Sequence, residues 1–190
     1  MQPPLEQMQE GELAWWVAFL ARPESLARLF AIYGYRYLPF FFEEFSRLGK
    51  VADFGSGPVS AAFIAEPAPE QVYCVDPLMD AYKRLGLVYG APAWWGGEAH
   101  VFDTALLLNV LDHCDGPAKL LLDVAGYLRP GGKALVWVHV DILPDALHRT
   151  VTEAEAWSWL AGAGLTVKRA RTHYDIYGPR AYMAVAERPV

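Results

Sequence analysis

Residues 50–60 read KVADFGSGPVS. A short apolar run ends in an acid, and two glycines follow with one residue between them. This spelling predicts a strand that turns sharply and lets a ligand approach the backbone. It is not the dinucleotide fingerprint, whose third glycine would fall at Ser60, and it lacks the Lys and Ser/Thr of a phosphate loop. Asp53, directly before the loop, would repel a pyrophosphate and suits a cationic ligand. A plain turn also explains the glycines, so the flanking sequence has to decide.

Downstream, strands and helices alternate. Val72–Val75 reads as a strand and Leu78–Leu85 as a helix. Thr104–Leu108 is a fully apolar strand of the kind buried in a parallel sheet. Pro117–Leu128 is a periodic helix, "RPGG" a turn, and Ala134–Val140 another buried strand. A short helix is expected at Val59–Glu66 and a short strand around Leu87–Tyr89. Thr152 and Glu155 form a capping box for a helix over 152–163. Leu165–Arg171 and Ala181–Ala186 are strands with no helix between them, so they must be antiparallel. Upstream, residues 5–22 read as a helix that Pro23 ends. A second helix runs to about Tyr33, and a third follows Pro39. This order predicts an α/β sheet with helices on both faces. One domain is expected over 1–190, with a helical N-terminal cap at 1–48 and a sheet core at 49–190.

Composition narrows the function. The chain has 190 residues, enough for one sizeable core, with 54% hydrophobic and 20% charged residues. A net charge of −6 argues against a nucleic-acid partner. Cys74 and Cys114 show no metal-ligand spacing and are expected to be buried thiols; no metal site is expected. With no apolar signal core and no membrane-spanning run, a cytoplasmic protein without a membrane partner is expected. The oligomeric state stays open between monomer and homodimer.

Ligands of an open α/β sheet bind at the carboxyl ends of its strands. The first strand leaves Asp53, Gly55, Ser56 and Gly57 there. The second leaves Asp76, about twenty residues beyond the loop, where a carboxylate can accept ribose hydroxyls. Asp76-Pro77 is also a good helix start. The apolar strand at 104–108 leaves Asn109-Val110-Leu111-Asp112-His113.

Taken in order, "VADFGSGP", "VDPLMDAY" and "FDTALLLNVLDHCDGPAKLLLDVAGYLRPGGKALVWV" resemble class I S-adenosylmethionine-dependent methyltransferases, in particular small bacterial ones with an "NxLDH" segment. The likeness runs from about residue 50 to 140. It implies a Rossmann-like, doubly wound, mostly parallel sheet of seven strands with an antiparallel last strand. It implies S-adenosylmethionine as cofactor and S-adenosylhomocysteine as product. Asp53, Gly55, Ser56 and Gly57 would cradle the methionine part, whose ammonium suits Asp53. Asp76 would hold the ribose. Pro77 and Leu78 would flank the adenine, with Gly97 and Glu98, in the segment starting at Gly96, lining it. Asn109 and Val110 would lie near the sulfonium. The chain departs from the family at Val59, where a third glycine is usual, and in the short stretch before Phe102.

The methyl group of such a cofactor is already activated, so the protein's main task is alignment. His113 is the first candidate for a general base and His139 the second; packing or capping is the competing role for each. Tyr33 and Tyr37, in the aromatic "YGYRYLPFFF", are candidates for a lid over the acceptor, and Tyr174, with His173 and Tyr177, for its far edge. The acceptor is expected to be a hydroxyl or amine of a small molecule, because the chain leaves no room for a target-recognition domain. A non-catalytic cofactor- or partner-binding module is the alternative, and a nicotinamide enzyme a weaker third.

Overall fold

The computed structural model describes residues 5–90, 92, 97–145, 147–176 and 178–190. Gly96 and Tyr177 lie outside the described residues. Two helices come first, α1 (Leu5–Leu20) and α2 (Ser25–Phe45). β1 (Lys50–Phe54), a single 3-10 turn (Ala61–Ile64), β2 (Gln71–Val75) and α3 (Met79–Arg84) follow. Then come β3 (Phe102–Leu108), α4 (Pro117–Tyr127), β4 (Leu128–Val140), α5 (Glu153–Gly162), β5 (Thr166–Tyr174) and β6 (Arg180–Glu187).

The described strands make one six-stranded sheet in the order β2-β1-β3-β4-β6-β5. β2, β1, β3 and β4 are mutually parallel, while β6 runs antiparallel to both β4 and β5. The antiparallel pair expected from the missing helix is therefore present. The expected seventh strand is not found among the described residues. Leu87–Tyr89 lies between Gly86 and Gly90 and folds back on the glycine loop instead. The Tyr89 amide donates to the Pro58 carbonyl at 2.9 Å, and its ring packs on Phe30 and Phe63.

Strand side chains alternate between two cores. Val51, Leu106, Leu108, Leu135, Trp137 and Met183 face α1 and α2. Ala52, Phe54, Leu107, Val136, Val138 and Ala184 face α4 and α5. Both faces are covered, which is why Ala105–Leu108 of β3 and Ala134–Val138 of β4 read as unbroken apolar runs.

Three expectations are corrected. Helix α2 does not end near Tyr33 but continues through Pro39 to Phe45, with a kink at Phe41 (φ −102°, ψ 16°). Leu29, Tyr33, Tyr37, Phe41 and Phe45 are all buried. They recur every four residues, so one ridge lies on the sheet and its burial outweighs the bond lost at the proline. The helix expected at Val59–Glu66 is only the 3-10 turn, held between Pro58 and Pro67. Cys74 and Cys114 are free thiols and half-buried rather than buried. Among the described residues, no helix is long and apolar enough to cross a membrane.

Candidate functional site

The strand order reverses between β1 and β3, so their carboxyl ends open a crevice. A cavity of about 480 Å³ lies there. Asp53, Gly55 and Ser56 line it from β1, Asn109 and His113 from β3, and His139 from β4. Helix α1 contributes Glu12, Trp15 and Trp16, and α2 contributes Tyr33, Arg36 and Tyr37.

The glycine loop is shaped by the protein's own packing. Gly55 has φ +70°, and a Cβ there would sit 2.3 Å from Val110 Cγ2. Gly57 has φ +57°, and its Cβ would sit 2.6 Å from Trp16 Cζ2. The first glycine lets the segment after β3 approach; the second lets α1 close over the loop. Val59 is fully buried, and its carbonyl accepts the Tyr33 hydroxyl at 3.0 Å. The carbonyl bond would survive a glycine here; what the departure adds is the Val59 side chain, which joins the core cluster that holds Leu29 and Tyr33 of α2.

Asp53 is buried at the end of β1. Its Oδ2 accepts Ser60 Oγ at 2.7 Å and the Ala61 amide at 3.1 Å. Burial pushes its carboxyl up to about 7, against those two hydrogen bonds. Glu12 across the cavity is also pushed up to about 7, by burial and then by Asp76, while its contact with Trp16 Nε1 works the other way. Two acids on one cavity attract a cation.

Asp76 ends β2 but is not among the residues lining the cavity. Its Oδ2 accepts the Gly57 amide at 3.0 Å and its Oδ1 the Leu78 amide at 2.8 Å. The carboxylate ties loop, strand and helix start together, as the helix-start alternative predicts. Pro77, Leu78, Gly97, Glu98 and Val110 also stand outside the lining. Gly97 and Glu98 are exposed, and Val110 packs against Gly55. Tyr174 is 74% exposed on the edge strand and does not reach the cavity. Tyr33 and Tyr37 do line it, both buried.

The other end of the cavity holds charged groups from distant parts of the chain. His113 Nε2 is 3.2 Å from Asn109 Nδ2 and 3.9 Å from Asp112 Oδ2. Burial lowers its pKa, with Asp112 opposing. His139 stands between two acids: Nδ1 is 3.7 Å from Asp112 Oδ2, and Nε2 is 3.6 Å from Asp175 Oδ2. Burial works to lower the His139 pKa, but Asp112 and Asp175 outweigh it and raise it. Asp175 accepts Arg36 Nε at 3.1 Å and Nη2 at 2.6 Å. Burial works to raise the Asp175 carboxyl, but His139 and Arg36 outweigh it and hold it at about 2.

Sequence reasoning missed Arg36, Asp175, His148 and Glu12. Arg36 had a readable signal: it is the only charge in "YGYRYLPFFF" and stands three residues from Tyr33, on the buried stripe. Asp175 and His148 lie in connecting segments, where no periodicity reports direction.

No family model and no curated protein matches the sequence. Solved structures do match. A Burkholderia thailandensis 1,6-didemethyltoxoflavin-N1-methyltransferase, crystallised with 1,6-didemethyltoxoflavin and S-adenosylhomocysteine, aligns with a TM-score of 0.59 at 22% identity, over 80% of this chain and 76% of its own. The [4+2]-cyclase SpnF aligns at 0.60 and 16% identity, over 88% and 82%. A Haloferax volcanii protein crystallised with the Trm112 methyltransferase activator aligns at 0.61 and 15% identity, over 82% and 90%. Such identities establish architecture, and the architecture agrees with the strand order, the crevice and the glycine loop: the chain has the fold of class I S-adenosylmethionine-dependent methyltransferases.

Proposed function

We propose that this chain binds S-adenosylmethionine in the cavity between β1 and β3 and moves its methyl group to a hydroxyl or amine of a small molecule. The observation that carries this is the cavity itself. It joins Asp53 and the glycine loop at one end to Asn109, His113 and His139 at the other, under aromatic residues of α1 and α2. The cofactor's ammonium would pair with Asp53, and Asn109 would stand near its sulfonium. Glu12 adds a second acid for the cationic ligand. The two helices act as the lid, excluding water while the acceptor oxygen or nitrogen lines up with the S–CH3 bond.

His113 is the residue placed to take the acceptor's proton. It lines the cavity just past the end of β3, and Asn109 and Asp112 flank its ring. Calorimetry with S-adenosylhomocysteine, followed by transfer of a tritiated methyl from the cofactor to small molecules of a cell extract, tests the proposal. Binding with transfer is expected; no binding of either form of the cofactor overturns it. His113→Ala should lower kcat about 10²–10⁴-fold with little change in cofactor affinity. An equal loss in both would remove the base role.

One observation favours a second reading, a partner-binding module with the same fold. Asp76 has both carboxylate oxygens taken by backbone amides, so a ribose would have to share them. No binding of either form of the cofactor would select this reading.

A further inference from the structure

The groups around His139 have the arrangement of a metal centre that the cofactor does not need. Asp112, His139 and His148 each offer one ligand atom, and the three atoms lie within 4.8 Å of one another. They come from three segments: the turn after β3, the end of β4, and the loop between β4 and α5. Asp112 is fully buried, and neither carboxylate oxygen has a hydrogen bond. Leaving a carboxylate so is costly unless a cation satisfies it.

The surroundings match what metal-bound histidines require. A ligating imidazole usually gives its second ring nitrogen to a carboxylate, which fixes the tautomer. His139 Nε2 is 3.6 Å from Asp175, leaving Nδ1 toward Asp112. His148 Nδ1 is 2.8 Å from Asp145 Oδ1, leaving Nε2. His148 therefore has one nitrogen hydrogen-bonded to an acid and one available, while each nitrogen of His139 faces an acid from beyond hydrogen-bond length. The outer acids are themselves held. Arg36 grips Asp175. The Leu147 and His148 amides donate to Asp145 Oδ1 at 2.7 and 2.8 Å. The loop carrying His148 is pinned across the site, because the Arg149 amide donates to the Asp112 carbonyl at 2.8 Å.

We propose that Asp112, His139 and His148 bind one divalent transition-metal ion at the acceptor end of the cavity. Two imidazoles and one carboxylate suit Zn²⁺ or Fe²⁺ rather than Mg²⁺ or Ca²⁺, which take oxygen ligands. Four-coordinate zinc with bonds of about 2.0–2.2 Å sets its donors roughly 3.4 Å apart. His139 Nδ1 and Asp112 Oδ2 are already at 3.7 Å, and the His148 donor lies within 4.8 Å of both, so side-chain rotation has to bring His148 in by no more than about 1.4 Å. A three-ligand centre keeps an open position. An oxygen or nitrogen donor of the small acceptor fills it; that assignment of the open position rests on the methyltransferase reading, whereas the metal site itself does not.

The test uses the full chain, stripped with chelator and titrated with Zn²⁺ by calorimetry and with Co²⁺ by visible absorption. One tight equivalent and a Co²⁺ d–d spectrum are expected. His148→Ala should abolish the tight equivalent and the spectrum. Asp145→Asn, which keeps an oxygen for the Leu147 and His148 amides but removes the charge behind His148, should weaken Zn²⁺ about 10–100-fold. Both positions are in a surface loop, and circular dichroism checks that the variants fold. Absence of a tight equivalent in the parent chain, or unchanged binding in His148→Ala, overturns the proposal. S-adenosylhomocysteine is titrated into the same samples. Cofactor binding without metal binding defeats the metal site alone, and metal binding without cofactor binding defeats the methyltransferase reading alone.

Discussion

Gly55 has no room for a side chain, and the reason is internal. Its φ of +70° costs an L-residue roughly 1–2 kcal/mol, and a Cβ would meet Val110 Cγ2 at 2.3 Å. Gly55→Ala should therefore lower stability by about 2–4 kcal/mol in urea unfolding, as strain and overpacking add. Gly55→Ala with Val110→Ala should recover the steric part and leave the backbone part. No coupling between the two would mean that the glycine serves conformation alone. Asp53 makes a prediction in pH. Burial holds its carboxyl in the folded chain at about 7, above the ordinary 3.8. Its contribution to stability is complete below about 4 and is lost as pH rises through about 7. A cationic ammonium prefers the carboxylate, so cofactor affinity should move the opposite way, rising from pH 6 to 8 with proton release at the lower end. Asp53→Asn should weaken binding and reduce that rise, and Asp53→Asn with Glu12→Gln should flatten it, since Glu12 is also pushed up to about 7; a parent profile that is already flat would disconnect Asp53 from the ligand.

Local rules served best where an element answers only to its own residues. The capping box of α5 is such a case. The Glu155 amide donates to Thr152 Oγ1 at 3.2 Å, and the Thr152 amide to Glu155 Oε2 at 2.8 Å. Thr152→Ala should cost about 1 kcal/mol of unfolding free energy and leave the cavity unaffected; a large loss of ligand affinity would show that α5 also holds the site. The apolar runs Ala105–Leu108 of β3 and Ala134–Val138 of β4 were legible for a similar reason, since both faces of a central strand are covered there. Elements that answer to distant partners were not. Pro39 spells a helix end, but the ridge from Leu29 to Phe45 lies on the sheet and carries the helix through it. Leu87–Tyr89 spells a strand, but the contacts of Tyr89 with Pro58, Phe30 and Phe63 draw it to the glycine loop. The glycine-loop end of the candidate site was readable because Asp53, Gly55 and Ser56 are consecutive or nearly so. At the charged end His113 and His139 were readable from their places at strand ends, whereas Arg36, His148 and Asp175 were not, because they meet the histidines only in the folded chain.

At the scale of the whole molecule, two helices that precede the sheet cover the crevice that the sheet opens. Trp16 of α1 packs over Gly57, and Glu12, Trp15, Trp16 and Phe19 line the cavity. Leu147, next to His148, stands 3.0 Å from the Cβ that Gly11 lacks, so α1 also touches the loop over the charged end. A ligand filling the cavity would lie beneath α1, and α1 could not leave without exposing it. Opening of α1 and ligand release should then be one event. Phe19, near the end of α1, is buried, lines the cavity and is a chymotrypsin site. When opening and reclosing are fast relative to cleavage, protection follows the population of the open form. A ligand that binds only the closed form cuts that population by the factor 1 + [L]/Kd, about 100-fold at a hundred times Kd. S-adenosylhomocysteine at that concentration should slow cleavage after Phe19 by about that factor, and a tenth of the concentration should slow it about tenfold. Cleavage unaffected by saturating ligand would mean that α1 opens with the ligand in place. The helix would then open and close without gating the ligand, and its lid role would be lost.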